Sequence, residues 1–499
     1  MENGFEKYKI SEEIKKSIDA MGYKNPSDVQ KRVIPEALEG KDIVVKSQTG
    51  SGKTAAFAIP VCEKVIWDNT KPQALVLTPT RELAIQVKEE IQSLGRLKRI
   101  RVAAIFGKQP FSEQIRELKQ RTHIVVGTPG RVIDHIERGT FDITGINILV
   151  IDEADEMLNM GFVDQVKSIV SKLNDKRQTM LFSATIPEEI LDLSNSYMNN
   201  PENIEIKAQK LITDKITHEL YKINEEDKLN ELRKVLIKEI PEGVVVFCKT
   251  KENVDKVAEN LKRKGYSVDK IHGGMMQKDR MATMERFKKG FFRILVATDI
   301  AARGIDVEGL THVINYDLPV EKEAYVHRIG RTGRAGSKGK AISLVNQYEG
   351  RLLGQIQEYI GFEINEIEPI SNNEIREKEA SANKLKTNPK AKKNKTKEVE
   401  KAITKIYLNG GKKKKIRAGD IVGAISRIDG VNSEDIGIID VQDIASYVDI
   451  LNGKGNKVLN ALKDMTIKGK KLRVKIKKLK IFSFFIFRLY EKFIDSLLE

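Results

Sequence analysis

Hydrophobic positions in this chain come in short, unbroken runs. Ile43-Val44-Val45, Ala74-Leu75-Val76-Leu77, Ile124-Val125-Val126, Ile148-Leu149-Val150-Ile151 and Met180-Leu181-Phe182 recur, with helix-like stretches between them. Runs with no polar alternation predict strands buried on both faces, and strands alternating with helices predict a parallel α/β sheet over residues 1–205. A second series follows in Val244-Val245-Val246-Phe247, Ile294-Leu295-Val296, Val313-Ile314-Asn315 and Ala341 to Val345. It predicts a second lobe of the same kind over 206–370, with 206–220 read as a connector.

The pattern then changes. Residues 371–402 are rich in Lys, Asn, Glu and Ala and poor in large apolar residues, which predicts a flexible basic linker. From Ile403 the order reads strand 403–408, helix 419–428, strand 436–441, strand 444–450, helix 455–464 and strand 470–476. That βαββαβ order is a split β-α-β arrangement spanning 403–478. The tail, 479–499, is rich in Phe and Ile but interrupted by Lys480, Arg488, Glu491, Lys492 and Asp495. It is too broken for a spanning helix, which needs about 20 mostly apolar residues. An interfacial or core-packed segment remains open, and no function is assigned to it.

Length and charge sharpen this outline. The 499 residues predict roughly two to four domains. A composition 40% hydrophobic and 32% charged fits a globular chain. The start, MENGFEKYKISEEI, has no apolar leader core. Cys62 and Cys248 lie far apart in apolar surroundings and read as reduced core thiols of a cytoplasmic protein. The net charge is +16, yet residues 401–480 hold 19 Lys and Arg against 8 Asp and Glu, leaving only +5 elsewhere. A basic end beside a near-balanced body predicts a polyanionic partner held by the C-terminal part.

Two strand ends carry the candidate chemistry. After Ile43-Val44-Val45, residues 47–54 read SQTGSGKT: Ser47, Gln48, Thr49, Gly50, Ser51, Gly52, Lys53 and Thr54. A strand, a glycine turn and a helix start let backbone N–H groups and the helix terminus hold phosphates. Lys53 is the expected cation for the β- and γ-phosphates, and Thr54 the hydroxyl ligand of Mg²⁺. After Ile148 to Ile151, residues 152–155 read DEAD. Asp152 is expected to hold Mg²⁺ through water, and Glu153 to orient or deprotonate the attacking water. An acidic helix cap would explain a lone DEAD string, but not one preceded by a phosphate loop. In the second lobe, residues 327–334 read HRIGRTGR, a poor core sequence. Arg331 and Arg334 are expected to reach across a cleft to the γ-phosphate, a role of on the order of a thousandfold in rate. A basic loop that binds only RNA phosphate is the plainer alternative.

With these motifs in place, the chain resembles the DEAD-box RNA helicases over residues 5–350. The resemblance implies two tandem RecA-like parallel-sheet lobes followed by a small α+β, RRM-like domain. It implies ATP selectivity from Gly22 to Gln30, with Gln30 reading the adenine edge, Tyr23 packing on the base and Phe5 supporting the segment. Asp306, in Arg303-Gly304-Ile305-Asp306, would contact the ribose. Ser183-Ala184-Thr185, with Asp155 and His327, would couple hydrolysis to strand separation. RNA contacts are implied for Arg81, Gly107, Thr128 and Arg131 in the first lobe and for Thr250, Arg280 and Thr298 in the second. Where relatives carry paired glycines, this chain has Gly107-Lys108, which puts the local backbone geometry in question.

The last domain is similar to the RNA-binding domain of DbpA/YxiN-type helicases, which implies structured 23S ribosomal RNA or pre-50S particles as partner. Tyr407 and Tyr447 occupy stacking positions, but Ala445 stands where a further aromatic is usual. Lys412, Lys413, Lys414 and Lys415, with the Lys468–Lys480 stretch, would then carry more of the binding. A solvated lysine face is the alternative. The reading is an ATP- and Mg²⁺-dependent RNA helicase with no obligate protein partner evident. An ATP-dependent RNA clamp without useful unwinding, and a DNA-directed translocase, would use many of the same motifs.

Overall fold

The computed structural model describes residues 4–47, 50–206, 216–302, 310–333, 338–389 and 403–477. In the first lobe, seven strands form one sheet: β1 (Ile43–Lys46), β2 (Ala74–Leu77), β3 (Val102–Ile105), β4 (Ile124–Gly127), β5 (Ile148–Asp152), β6 (Gln178–Ser183) and β7 (Glu202–Glu205). Their order is β3-β4-β2-β5-β6-β1-β7, and every pair is parallel. β2 through β6 are buried along their whole length, as their apolar runs require when helices cover both faces. The order places the carboxyl ends of β5, β6 and β1 side by side. In such sheets that edge is where ligands bind.

The second lobe has β8 (Ile216–Lys222), β9 (Val244–Phe247), β10 (Val268–Ile271), β11 (Ile294–Ala297), β12 (His312–Asn315), β13 (Gly339–Val345) and β14 (Asn365–Glu366). The order is β10-β11-β9-β12-β13-β8-β14, again all parallel. Numbered from each lobe's own first strand, the two orders are identical. One expectation is corrected here: residues 216–220, read as connector, belong to β8, which pairs with β13 along its full length. Ile216 and Leu220 are buried in the lobe's core, and His218 between them bonds its Nδ1 to the Tyr325 hydroxyl at 2.9 Å. Polar Thr217, His218 and Glu219 hid the strand.

Lys228, the first residue of the helix after β8, is fully buried. Its ammonium lies 2.9 Å from Glu349, 3.2 Å from Glu225 and 3.3 Å from Asp317. Asp317 also accepts the Lys249 backbone N–H and the Asn253 side-chain amide.

The linker expectation also needs correction. Residues Asn372–Ala382 form a helix opened by a Ser371–Glu374 capping box, and a 3₁₀ turn follows at Asn383–Lys386. Ala382 and Leu385 enter the second lobe's core, and the chain bonds to it through Ser267 N to Leu385 O and Arg293 Nε to Thr387 O. Two buried side chains and backbone bonds hold the segment, so its composition looked linker-like. The rest of that stretch, 390–402, lies outside the described residues.

The C-terminal domain has a four-stranded antiparallel sheet of β15 (Thr404–Leu408), β16 (Ile436–Val441), β17 (Ser446–Ile450) and β20 (Val474–Ile476), ordered β16-β17-β15-β20. Helices Ala418–Ile425 and Gly455–Asp464 supply Ile421, Ile425, Val458 and Leu462 to a core with Ile406, Leu408, Val448 and Ile450. A small hairpin, β18 (Thr466–Ile467) and β19 (Lys470–Lys471), precedes the last strand, so the expected strand 470–476 is two, β19 and β20. The tail 479–499 is outside the described residues. No helix among the described residues is long and apolar enough to cross a membrane.

Candidate active site

The phosphate loop leaves β1 at Ser47, whose N–H donates to Ser183 O at the end of β6. Gly50 and Gly52 take φ of +81° and +93°, conformations open to glycine. A Cβ on Gly52 would lie 2.7 Å from Gln30 Nε2. The helix Lys53–Lys64 starts at this turn with no acid in its first turn, leaving its positive end for an anion. Lys53 is buried and donates to Ser47 O at 3.2 Å. Thr54 is half-buried beside it. Gln48 and Thr49 lie outside the described residues.

The segment before the loop braces it. Gln30 accepts the Ser27 N–H at 2.9 Å and donates to Gly52 O at 3.1 Å, while Ser27 Oγ donates to Ser51 O. Phe5 is buried, its ring 6.5 Å from that of Tyr23, and the Tyr23 hydroxyl donates to Glu90.

Asp152 ends β5 and is 3% exposed; its Oδ1 has no hydrogen-bond partner among the described residues. Its carboxyl is pushed up to about 7, chiefly by burial and in part by Glu153, against the opposing pull of Lys53. A buried carboxylate oxygen facing a lysine and a phosphate loop fits a hydrated cation carried by a nucleotide. Glu153 is held at φ +54°, an uncommon conformation for a side chain of its size. Asp155 turns the other way: its Oδ2 accepts from Ala184 N, Thr185 N and Thr185 Oγ1, and its own N–H donates to Ser183 Oγ. The acidic strand end and Ser183-Ala184-Thr185 are thereby one hydrogen-bonded piece.

A cleft with about 270 Å³ of empty space is lined by Lys53, Glu153, Asp155, Glu156 and Ala184 from the first lobe and His327 and Arg331 from the second. His327 Nδ1 lies 2.8 Å from Glu156 Oε1, and Arg331 Nε donates to His327 O at 3.1 Å. The sequence reading missed Glu156, which looks like an ordinary helix residue. It also missed Arg328, which pairs with both oxygens of Asp299 at 2.6 and 2.7 Å and donates to Asn315 Oδ1 and Asp317 O. Of the three arginines in the motif, Arg328 anchors the helix and Arg331 faces the cleft. Arg334 and Asp306 lie outside the described residues.

The residues expected to touch RNA divide. Arg81 donates to Gln277 at 3.0 Å, Gln277 donates to Glu82 at 3.1 Å, and Arg280 pairs with Glu82 at 2.9 Å. Both arginines therefore tie lobe to lobe here. Thr250 caps the helix Lys251–Arg263, accepting the Asn253 N–H. Thr128 begins the helix Pro129–Glu137, and Thr298 is half-buried after β11. Arg131 donates to Gln109 O and Gln114 Oε1. A Cβ on Gly107 would sit 3.1 Å from Arg81 Nη2, and the exposed Lys108 adopts φ +60°, which answers the geometry question raised by the missing glycine.

In the C-terminal domain, Tyr407 and Tyr447 are cross-strand partners with rings 5.6 Å apart, edge to face. Lys475 Nζ lies 5.1 Å over Tyr407 and Lys477 Nζ 4.2 Å over Tyr447. Lys412 to Lys415 are all exposed, and the Lys468 and Lys470 ammonium groups donate to the Lys415 and Lys414 carbonyls.

A strand-end phosphate loop, an acidic strand end and an arginine from a second lobe of the same topology define a two-lobed nucleotide hydrolase. Family models match in the same order: DEAD/DEAH box helicase over residues 27–193, helicase conserved C-terminal domain over 227–336, and DbpA RNA binding domain over 405–476. The chain is 58% identical over 471 residues to the ATP-dependent RNA helicase DbpA of Bacillus subtilis, covering 94% of this chain and 98% of that protein. It is 47% identical over 345 residues to the DEAD-box ATP-dependent RNA helicase CshA of Geobacillus kaustophilus, covering 69% and 74%. Among solved structures, S. cerevisiae Dbp5 bound to RNA and ADP BeF3 matches with a TM-score of 0.68 at 32% identity, over 77% of this chain and 100% of that one. The chain belongs to the DEAD-box family of ATP-dependent RNA helicases.

Proposed function

We propose that this enzyme uses ATP hydrolysis to separate short RNA duplexes, and that its C-terminal domain directs it to structured large-subunit ribosomal RNA in the cytoplasm. The observation that carries the catalytic half is the cleft itself: Lys53 and Glu153 share it with His327 and Arg331 from the other lobe. Neither lobe alone has both the phosphate-holding and the charge-stabilising groups. Support for the target is the match of residues 405–476 to a DbpA RNA-binding domain and the identity to a DbpA protein.

In this reading Ser47 to Thr54 cradle the phosphates, Gln30 and Tyr23 receive the adenine with Phe5 behind them, and Asp306 takes the ribose. Thr54 and Asp152 would hold Mg²⁺, which when bound neutralises phosphate charge. Glu153 orients the attacking water and accepts its proton. Arg331, aided by Arg334, stabilises charge on the γ-phosphoryl group as the in-line displacement proceeds.

The test is ATP turnover with and without RNA. Turnover should rise strongly with RNA, and Lys53→Ala or Glu153→Gln should lower it at least about a hundredfold. Turnover indifferent to every RNA would refute the reading. A duplex-displacement assay distinguishes unwinding from clamping, and DNA of the same sequence should stimulate less.

A further inference from the structure

Gln114 lies on the helix Phe111–Leu118 of the first lobe, outside the motifs discussed so far, and is fully buried. All the hydrogen-bonding capacity of its amide is used. Its Nε2 donates to Phe106 O at 2.8 Å and to Gln109 Oε1 at 2.9 Å. Its Oε1 accepts from Arg131 Nη1 at 3.0 Å and lies 3.0 Å from His135 Nε2. The two acceptors at the nitrogen fix which end of the amide is which, because reversal would set oxygen against oxygen twice. His135 Nε2 must then carry a proton. As a neutral imidazole its Nδ1 is an acceptor, and it faces the Thr140 hydroxyl at 2.8 Å, whose single proton is shared with His135 O at 3.1 Å. Phe111 closes the arrangement, stacked on His135 at 4.0 Å with the Arg131 and Arg138 guanidinium groups near its ring at 5.3 and 4.6 Å.

One amide therefore joins two surfaces. On one side is the loop Phe106-Gly107-Lys108-Gln109, which carries the exposed Lys108 in a left-handed conformation. On the other is Arg131, which also donates to Gln109 O at 3.2 Å. We propose that Gln114 is a positioning residue for RNA binding: it sets the spacing of Lys108 and Arg131, so that two cations meet successive phosphates of one strand. This rests on the reading of Arg131 and the Gly107 loop as RNA-facing. Two pre-spaced cations bind a phosphate chain more tightly than two wandering ones, because less side-chain freedom is lost on contact.

The experiment uses the full chain, a short single-stranded RNA of generic sequence, and ATP turnover as a function of RNA concentration. Gln114→Leu removes every bond of the amide. Gln114→Glu retains acceptors for Arg131 and His135 but loses both donors to the loop. The RNA concentration for half-maximal turnover should rise about tenfold for Gln114→Leu and less for Gln114→Glu. Turnover at saturating RNA, turnover without RNA and the KM for ATP should stay within about twofold, a split that general loosening of the lobe would not give. Arg131→Ala is the control for the underlying reading: unchanged RNA dependence there would remove the surface that Gln114 is said to position. If Arg131→Ala weakens RNA dependence and both folded Gln114 variants do not, only the positioning role fails. In the double variant Gln114→Leu with Arg131→Ala, a loss smaller than the product of the single losses is expected, and full additivity would overturn the proposal.

Discussion

Glu153 holds a backbone conformation that a side chain of its size is poorly suited to. At φ +54° its side chain crowds the following carbonyl, a cost of roughly 1–2 kcal/mol that glycine would not bear. Glu153→Gly should therefore raise the unfolding free energy by about 0.5–1 kcal/mol, visible as a higher Tm, while hydrolysis is lost. A variant that is both inactive and less stable would show that the turn is not strained. Lys108, at φ +60°, gives a companion test away from the cleft: Lys108→Gly should stabilise by a similar amount with turnover at saturating RNA retained. At this scale Lys53 and Asp152 stand out in the sequence because each sits beside an apolar strand: Lys53 opens the helix that follows β1, and Asp152 ends β5. Glu156 and Arg328 were not. What marks them is a partner from a distant part of the chain, His327 for one and Asp299 for the other, and spacing along a sequence cannot show that.

Among the elements, the helix Pro129–Glu137 carries its own titration signature. His135 is fully buried, and burial first, then the charge of Arg131, pushes it down to about 4 from an ordinary 6.5. A depressed histidine contributes stability that is present above pH 6.5 and is lost as pH falls toward 4, because protonation is easier in the unfolded chain. Unfolding free energy should fall through that window by on the order of 2 kcal/mol more for the parent than for His135→Asn. Parallel curves would exclude a buried neutral imidazole. Elements also differed in legibility. The apolar runs of β2, β4, β5, β9 and β11 announce buried strands. β8 does not, because its pattern includes a histidine satisfied by Tyr325, and the helix Asn372–Ala382 does not, because it meets the second lobe's core with the small Ala382 and the partly buried Ile375 rather than a broad apolar stripe.

For the whole molecule, catalysis and targeting should separate. A chain ending at residue 389 keeps the helix that packs on the second lobe but lacks the C-terminal domain. It should reach full turnover on generic RNA, while the concentration of structured ribosomal RNA needed for half-maximal turnover rises tenfold or more. The salt dependence of that binding should become shallower as lysine–phosphate contacts are lost. Equal preference for ribosomal RNA in both chains would place selectivity in the lobes.

The matched strand order of the lobes makes Lys228 the counterpart of Lys53: each is the first residue of the helix that follows its lobe's first strand. In the second lobe, carboxylates of Glu225, Asp317 and Glu349 surround that ammonium where the first lobe would receive phosphate. The copied fold thus holds a lysine site filled from within, with the negative charge built into the protein. A saturation titration should accordingly find one nucleotide per chain. Lys228→Met should not alter that stoichiometry, but should destabilise the second lobe by about 3–5 kcal/mol by leaving buried carboxylates unpaired.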